Sequence, residues 1–318
     1  MDRIAVLTSG GDSPGMNAAI RAVARTCFFN DKECVGVMRG YEGLIDGDYI
    51  PLTRSTVGGI IHRGGTILKT ARSERFTTPE GCQEALSRMR EAGIEGLVVI
   101  GGDGSFHGAK ALHDMGMPVI GVPGTIDNDV AGTDETIGFD TAVNTALEAI
   151  MRLRDTASSH DRLFIVEVMG RNAGFLALEI AVASGAEYVA VPELPLSIGN
   201  LCQRLRLSQE KKKSHTLIIL AEGVMPANEM KAKLQDTGGY DARVTVLGYI
   251  QRGGSPTSFD VVLASRMGAY AAESLLIGKS GFMVGNVTHR MVLSPLERSW
   301  TEHKTLSPEL LGLVDKLN

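Results

Sequence analysis

Short, almost unbroken runs of valine, isoleucine and leucine, each ending in glycine plus a polar residue, are what most restricts how this chain can fold. Ile4–Thr8, Cys34–Met38, Leu97–Ile100, Pro118–Val122, Leu163–Val168, Tyr188–Val191, Thr216–Leu220 and Arg243–Leu247 have this character. A strand with one wet face alternates apolar and polar residues. A continuous apolar run needs cover on both faces, as in a parallel sheet between two helical layers. The stretches between the runs can hold crossover helices, most clearly at Asn17–Arg25, Glu80–Glu91, Ser105–Asp114, Thr141–Asp155 and Leu201–Glu210. The pattern predicts an α/β protein with open, doubly wound, mainly parallel sheets. Four runs precede Gly138 and four follow it, and 318 residues at roughly 150 per domain also give two domains. The tail after about Gly281 has weak periodicity and yields no assignment.

Lys and Arg number 32 and Asp and Glu 37, a formal charge of −5, which disfavours general nucleic-acid binding. No apolar run approaches the ~20 residues of a membrane helix, and the N-terminus has no secretory apolar segment. Cys27, Cys34, Cys82 and Cys202 lack metal-ligand spacing, so they read as free thiols in a reducing cytoplasm.

Glycine is abundant, at 38 residues, and it clusters behind the apolar runs, at the strand ends where open α/β sheets bind ligands. In Thr8–Asn17 (TSGGDSPGMN), adjacent glycines expose backbone N–H groups before a helix start, which suits a phosphate. The alternative is an empty tight turn. The loop is neither a Walker A sequence nor GxGxxG, and no dinucleotide fingerprint follows a strand elsewhere. In Gly101-Gly102-Asp103-Gly104-Ser105 the carboxylate either holds Mg²⁺ beside phosphate oxygens or caps the next helix. Thr125-Ile126-Asp127-Asn128-Asp129 offers Asp127 as a general base, or an Asx turn. Arg72, Arg171 and Arg252 are candidates for phosphate recognition, or solvated surface cations. Arg162 and Arg243 precede strands, at the ends opposite these loops. If functional, they serve a neighbouring subunit.

Taken together, LTSGGDSPGMNAAIR, GGTILKTARSERF, VVIGGDGS, PGTIDND, TIGFDTA, RDTASSH, VMGRNAG, AEG and VLGYIQRGGSPT resemble the bacterial ATP-dependent 6-phosphofructokinases, in register from Arg3 to about Gly285. The resemblance implies transfer of phosphate from ATP to the 1-hydroxyl of fructose 6-phosphate, with Mg²⁺ as cofactor. It implies a cytoplasmic homotetramer with its active site in a cleft between an ATP-binding domain (1–138 plus about 251–300) and a sugar-phosphate domain (139–250 plus about 301–318). Gly11, Arg72, Ser73, Gly102, Asp103, Gly104 and Ser105 would bind ATP, with Asp103 on Mg²⁺. Asp127 would take the hydroxyl proton, and Thr125, Arg171 and Arg72 would stabilise the migrating group. Thr125, Ile126, Asp127, Met169, Gly170, Arg171, Glu222, Tyr249, Ile250, Gln251 and Arg252 would meet the sugar phosphate, with Arg162 and Arg243 reaching it from another subunit. Arg21, Arg25, Arg54, Arg154, Gly185, Glu187, Lys211 and Lys213 match an effector cleft, implying activation by ADP and inhibition by phosphoenolpyruvate. Gly104 and Gly124 stand where pyrophosphate-using relatives usually carry Asp and Lys, which favours ATP as donor.

Three positions depart from the family pattern. Tyr249 replaces a usual His, Phe175 a usual Asp and Val261 a usual Arg. The first bears on sugar-phosphate affinity and the others on allostery or assembly. A pyrophosphate-dependent enzyme of the same fold and a non-catalytic nucleotide-sensing subunit are the competing readings. Intact Asp103, Asp127 and Arg171 argue against the latter.

Overall fold

In the computed structural model, which describes residues 1–158, 163–210 and 216–317, all eight apolar runs are strands. Arg162, Lys211 and Lys213 lie outside the described residues. In chain order the elements begin β1 (Arg3–Thr8), α1 (Met16–Phe29), β2 (Glu33–Val37), α2 (Gly40–Asp46), β3 (Tyr49–Pro51), α3 (Pro79–Glu91), β4 (Gly96–Gly101), α4 (Asp103–Asp114), β5 (Val119–Pro123) and α5 (Phe139–Ser158). There follow β6 (Leu163–Val168), α6 (Phe175–Ser184), β7 (Tyr188–Ala190), α7 (Ile198–Glu210), β8 (Thr216–Ala221), α8 (Ala227–Gly238), β9 (Ala242–Val246), α9 (Ser258–Leu276), β10 (Phe282–Val287), β11 (Arg290–Pro295), α10 (Arg298–Thr301) and α11 (Pro308–Lys316). The chain forms two compact units. One comprises Met1–Ile126, Val130–Thr141 and Arg252–Lys304, and the other Asp127–Asp129, Ala142–Gln251 and Thr305–Asn318.

The first unit holds a seven-stranded sheet in the order β11-β10-β5-β4-β1-β2-β3, parallel except at its edges, where β3 and β11 run antiparallel to their neighbours. Its strands feed two cores by alternation. Ile4, Val6, Val98, Ile100, Ile120 and Val122 join α1 and α9 in one, while Ala5, Leu7, Leu97, Val99 and Val119 join α2, α3 and α4 in the other. This two-sided burial is why the strands read as continuous apolar text. From β1 the chain moves to β2 on one side, whereas β4 and β5 extend the sheet on the other. The gap between the carboxyl ends of β1 and β4 is therefore a topological switch point, the place where such sheets bind ligands.

The second unit holds a four-stranded parallel sheet in the order β7-β8-β6-β9. Ile165, Ile218 and Leu220 pack on Leu201 and Leu205 of α7 and on Met230 and Leu234 of α8. All four cysteines are free and buried.

Helix starts use familiar chemistry. The Thr78 hydroxyl accepts from Gly81 N–H ahead of Pro79, and the Ser307 hydroxyl accepts from Leu310 N–H ahead of Pro308. The α5 and α9 starts cap each other. The fully buried Asp260 carboxylate accepts from Gly138 N–H, Thr141 N–H and the Thr141 hydroxyl, while Thr257 donates its hydroxyl to Asp140. Burial outweighs these donors and pushes the Asp260 carboxyl up to about 6 from an ordinary 3.8. A carboxyl raised in the folded state binds its proton more tightly there than in the unfolded chain. Its contribution to stability therefore falls as pH rises from about 4 to about 6 and is level above that. At ~1.4 kcal/mol per pH unit the change is on the order of 2–3 kcal/mol. Thermal melts should show Asp260→Asn gaining on the parent protein between pH 4.5 and pH 7. A gap that does not change with pH contradicts this.

Candidate active site

The switch point of the first unit is built from two strand-end loops. After β1, Ser9 N–H donates to Ile100 O of β4 at 2.9 Å, so the two loops leave the sheet together. The buried Asn17, in the first turn of α1, donates to Arg63 O at 2.9 Å and accepts from Ile67 N–H at 2.8 Å. It thereby ties the chain leading to Arg72 and Ser73 onto the phosphate-type loop. Arg72 is exposed and forms no ion pair among the described residues. The Ser73 hydroxyl accepts from Phe76 N–H and, ahead of the Arg75 guanidinium, holds the Glu42 carboxyl below the usual range. Gly11 has the Arg252 guanidinium lying against it. A Cβ on Gly11 would stand 2.3 Å from Arg252 Nη1.

After β4, Gly102 and not Asp103 is the N-cap of α4. Asp103 is the first helical residue. Among the described residues no group of three or more His, Cys, Asp or Glu side chains gathers as metal ligands. A single half-buried carboxylate at a helix head suits an ion that takes one or two carboxylates and completes its shell with water and substrate phosphates, as Mg²⁺ does. Gly104 is exposed, and a Cβ there would meet nothing within 4 Å, so the protein leaves that space open. At Gly124 a Cβ would come within 3.0 Å of Ile100 Cγ2. Ser105 is buried behind Gly101.

Thr125 follows β5 beside the same loop, its Cβ 3.8 Å from where a Cβ on Gly102 would sit. Ile126 is 2% and Asp127 8% exposed, and Asn128 between the two acids has a left-handed φ of 53°. Such a backbone at a strand end is a common mark of a functional loop. Asp127–Asp129 belong to the second unit although their chain neighbours belong to the first.

In the second unit the loop after the central strand β6 is held from both flanks. Met169 N–H donates to the carboxamide of the fully buried Gln251, which follows β9, at 2.9 Å. Arg171 N–H donates to the carboxylate of Glu222, which follows β8, at 2.9 Å. Gly170 sits at φ 137° and Arg171 at φ 56°. A Cβ on Gly223 would lie 2.3 Å from Arg171 O, so that backbone must pass at a glycine. The result is an exposed Arg171 side chain on a rigid base. Gln251 and Glu222, placed by resemblance at the sugar phosphate, thus also brace the loop. Tyr249 and Ile250 are 80% and 57% exposed. Arg243 lies on β9 and pairs with Asp241 at 3.4 Å.

The effector candidates form two groups, one in each unit. In the first, Arg21 and Arg25 share one face of α1 one turn apart, Arg25 donates to Arg54 O at 3.3 Å, and the Arg54 guanidinium lies 5.9 Å from the Phe28 ring centroid. In the second, Arg154 donates to Gly185 O at 2.8 Å and the Glu187 carboxylate accepts from Leu217 N–H at 2.8 Å. Sequence reasoning missed Glu167 and Glu193, whose carboxylates accept from Ala227 N–H at 2.7 Å and Gly174 N–H at 2.8 Å. Glu167, an acid in the apolar run of β6, was the one available signal.

A phosphofructokinase family model matches residues 3–275. ATP-dependent 6-phosphofructokinase 1 of Thermus thermophilus is 54% identical over 320 residues, covering 100% of this chain and 99% of its own. The ATP-dependent 6-phosphofructokinase of Halalkalibacterium halodurans is 55% identical over 292 residues, 92% of each chain. The Pichia pastoris phosphofructokinase in the T-state superposes with a TM-score of 0.91 at 35% identity, over 99% of this chain and 37% of that one. At 22% identity a pyrophosphate-dependent phosphofructokinase from Marinobacter aquaeolei shares the fold, with a TM-score of 0.84 over 100% of this chain and 91% of that one. With a family model over most of its length and relatives above half identity along all of it, the chain belongs to the phosphofructokinase family.

Proposed function

We propose that this chain transfers the γ-phosphoryl group of ATP to the 1-hydroxyl of fructose 6-phosphate, giving ADP and fructose 1,6-bisphosphate, the committing step of glycolysis. The observation that carries the reading is the switch point at β1 and β4, where a glycine loop, the Asp103 helix head and Thr125 converge. The backbone N–H groups after β1 and at the α4 start meet phosphate oxygens. Asp103 would hold Mg²⁺, which when bound neutralises charge on the ATP phosphates. Asp127 takes the proton from the sugar hydroxyl as its oxygen attacks in line. Charge spreads over the equatorial oxygens of the migrating group, so Arg72, Arg171 and Thr125 act by electrostatics and position. A coupled assay offering ATP or pyrophosphate to the purified protein tests this. Mg²⁺-dependent turnover with ATP is expected, and equal turnover with pyrophosphate contradicts the donor assignment.

Tyr249 carries a specific expectation. It is 80% exposed and can donate one hydrogen bond, but a phenol has no cationic form to offer a phosphate. A histidine at so open a position titrates near its ordinary ~6.5 and adds positive charge beside a phosphate. Tyr249→His should lower KM for fructose 6-phosphate, more at pH 6 than at pH 8. An unchanged or higher KM removes residue 249 from the sugar-phosphate site.

Arg21, Arg25 and Arg54 on one unit, and Arg154, Gly185 and Glu187 on the other, have the chemistry for a phosphorylated ligand, with the carboxylate suited to an ADP-bound Mg²⁺. A homotetramer in which Arg162 and Arg243 serve a neighbouring subunit completes the proposal. ADP should shift fructose 6-phosphate saturation curves to lower concentration and phosphoenolpyruvate to higher, through differential affinity for two quaternary states. Curves unmoved by both reject it.

A further inference from the structure

One string in the sequence, Thr136-Ile137-Gly138-Phe139-Asp140-Thr141, has no part in the reaction described above, yet it lies buried between the two loops that matter most. On one side it meets the base-carrying segment. Ile137 N–H donates to Pro123 O at 3.0 Å, Ile137 bridges Gly124, and the Thr136 hydroxyl donates to Thr125 O at 2.7 Å. On the other side it meets the phosphate-type loop. A Cβ on Gly15 would stand 2.6 Å from Ile137 Cγ2, and one on Gly138 would stand 2.6 Å from Ser13 Cβ. Both approaches are closer than any added side chain permits, so a side chain of each segment lies directly on a glycine of the other. Behind them the Asp260 carboxylate takes the N–H of Gly138 and of Thr141, each at 2.8 Å. Thr136, Ile137, Asp260 and Ser13 are all 0% exposed, and none of the four has a surface from which to touch a substrate.

We propose that Thr136–Gly138, pinned by Asp260, is a positioning strap that sets the Thr125 carbonyl, from which the chain runs on to Asp127, at a fixed distance from the phosphate-binding loop. This rests on the proposed roles of Thr125 and Asp127. The physical demand is real. A general base must stand within hydrogen-bond reach of its proton, and a misplacement near 1 Å can cost about 10²-fold. The segment Thr125–Asp129 is short, half in one unit and half in the other, and turns through a left-handed Asn128. The Thr136 hydrogen bond to Thr125 O fixes the first-unit end of that segment. Thr136 and Asp260 are therefore positioning residues and not catalytic ones.

Substitutions at Thr136 separate a held carbonyl from mere packing. Thr136→Ser keeps the hydroxyl and loses a methyl; Thr136→Val keeps the shape and loses the hydroxyl; Thr136→Ala loses both. If the strap positions the site, kcat follows the hydroxyl. Val and Ala lose roughly 10- to 100-fold, with KM for ATP and fructose 6-phosphate within about threefold of the parent, while Ser stays within about threefold in kcat. If kcat instead follows side-chain volume, with Val near normal and Ser reduced, the residue is only filling space and the inference is overturned. Should Val and Ala fail to fold, Asp260→Asn decides. Its carboxamide can still accept from Gly138 but turns a donor toward Thr141 N–H or the reverse, so kcat should fall about tenfold at unchanged KM, and an unchanged kcat overturns the inference. Asp127→Ser, measured alongside, keeps the two levels apart. If it loses turnover while Thr136→Val does not, the reading of the site stands and the strap falls. If Asp127→Ser turns over normally, both fall.

Discussion

Asp127→Ser should lower kcat by roughly 10²–10⁴-fold, the usual worth of a positioned general base. The loss belongs in kcat because proton removal develops only as the sugar oxygen attacks, and an interaction made only in the transition state leaves ground-state binding largely alone. KM for both substrates should therefore stay within a few-fold. Serine is the informative replacement: it is small, polar and comfortable in a turn, so the loop after β5 keeps its anchors, the Ile137 bridge to Gly124 and the Thr136 hydrogen bond to Thr125 O. Thermal melting of the variant alongside the parent guards against a trivial loss of fold. A folded variant with near-normal turnover sinks the assignment of Asp127 as base and with it the reaction proposed.

How far the sequence alone carries this reading depends on where each signal is encoded. Strands β1, β4 and β5 are legible because both faces are buried, which leaves apolar text that no surface element shares. The edges are not. β3 has only three residues, and the β10–β11 hairpin turns at Thr288 and His289, with φ 48° and 63°. Left-handed turn residues are normally announced by Asn or Gly, and here neither is present, so the tail gave no assignment. Helices α6 and α9 were overlooked for a different reason. FLALEIAVAS is apolar around most of its circumference, and in SFDVVLASRMGAYAAESLL the buried stripe of Leu263, Ala264, Met267, Gly268, Ala271, Ala272 and Leu275 is built largely of small residues that contrast weakly with the rest of the helix.

The site divides along the same line. Asp103, Gly104, Asp127 and Arg171 sit in glycine-bearing text at strand ends, and the general rule for α/β sheets points there without further help. The residues that hold those groups are invisible to any local pattern, because their partners are distant in the chain. Met169 with Gln251 spans 82 positions, Arg171 with Glu222 spans 51, and Gly138 with Asp260 spans 122. A buried glutamine or aspartate carries no periodicity of its own. Its meaning comes only from which N–H it faces, and that is settled by sheet order.

The helix head at Gly104 supports the second large effect. Gly104→Asp should lower kcat/KM for ATP by roughly 10²–10³-fold while leaving the protein as stable as before. The protein itself has no objection to a side chain there, since a Cβ meets nothing within 4 Å. A carboxylate in the first turn of α4 is favoured by the helix dipole by about 0.3–1 kcal/mol, and leaving glycine improves helix propensity. Melting temperature should hold or rise slightly. The nucleotide, by contrast, meets both bulk and a second negative charge beside Asp103. Two like charges at 4 Å cost about 4 kcal/mol at an effective dielectric near 20, close to three factors of ten. Pyrophosphate has no nucleoside and needs less room, so the ratio of pyrophosphate to ATP activity should rise even if both rates fall. Gly124→Lys is the weaker companion, because its Cβ would press to 3.0 Å on Ile100 Cγ2 and any lost activity could come from strain in β4. A folded Gly104→Asp protein that uses ATP as well as the parent does would show that the nucleotide does not pass over this helix start, and the donor assignment would have to move elsewhere.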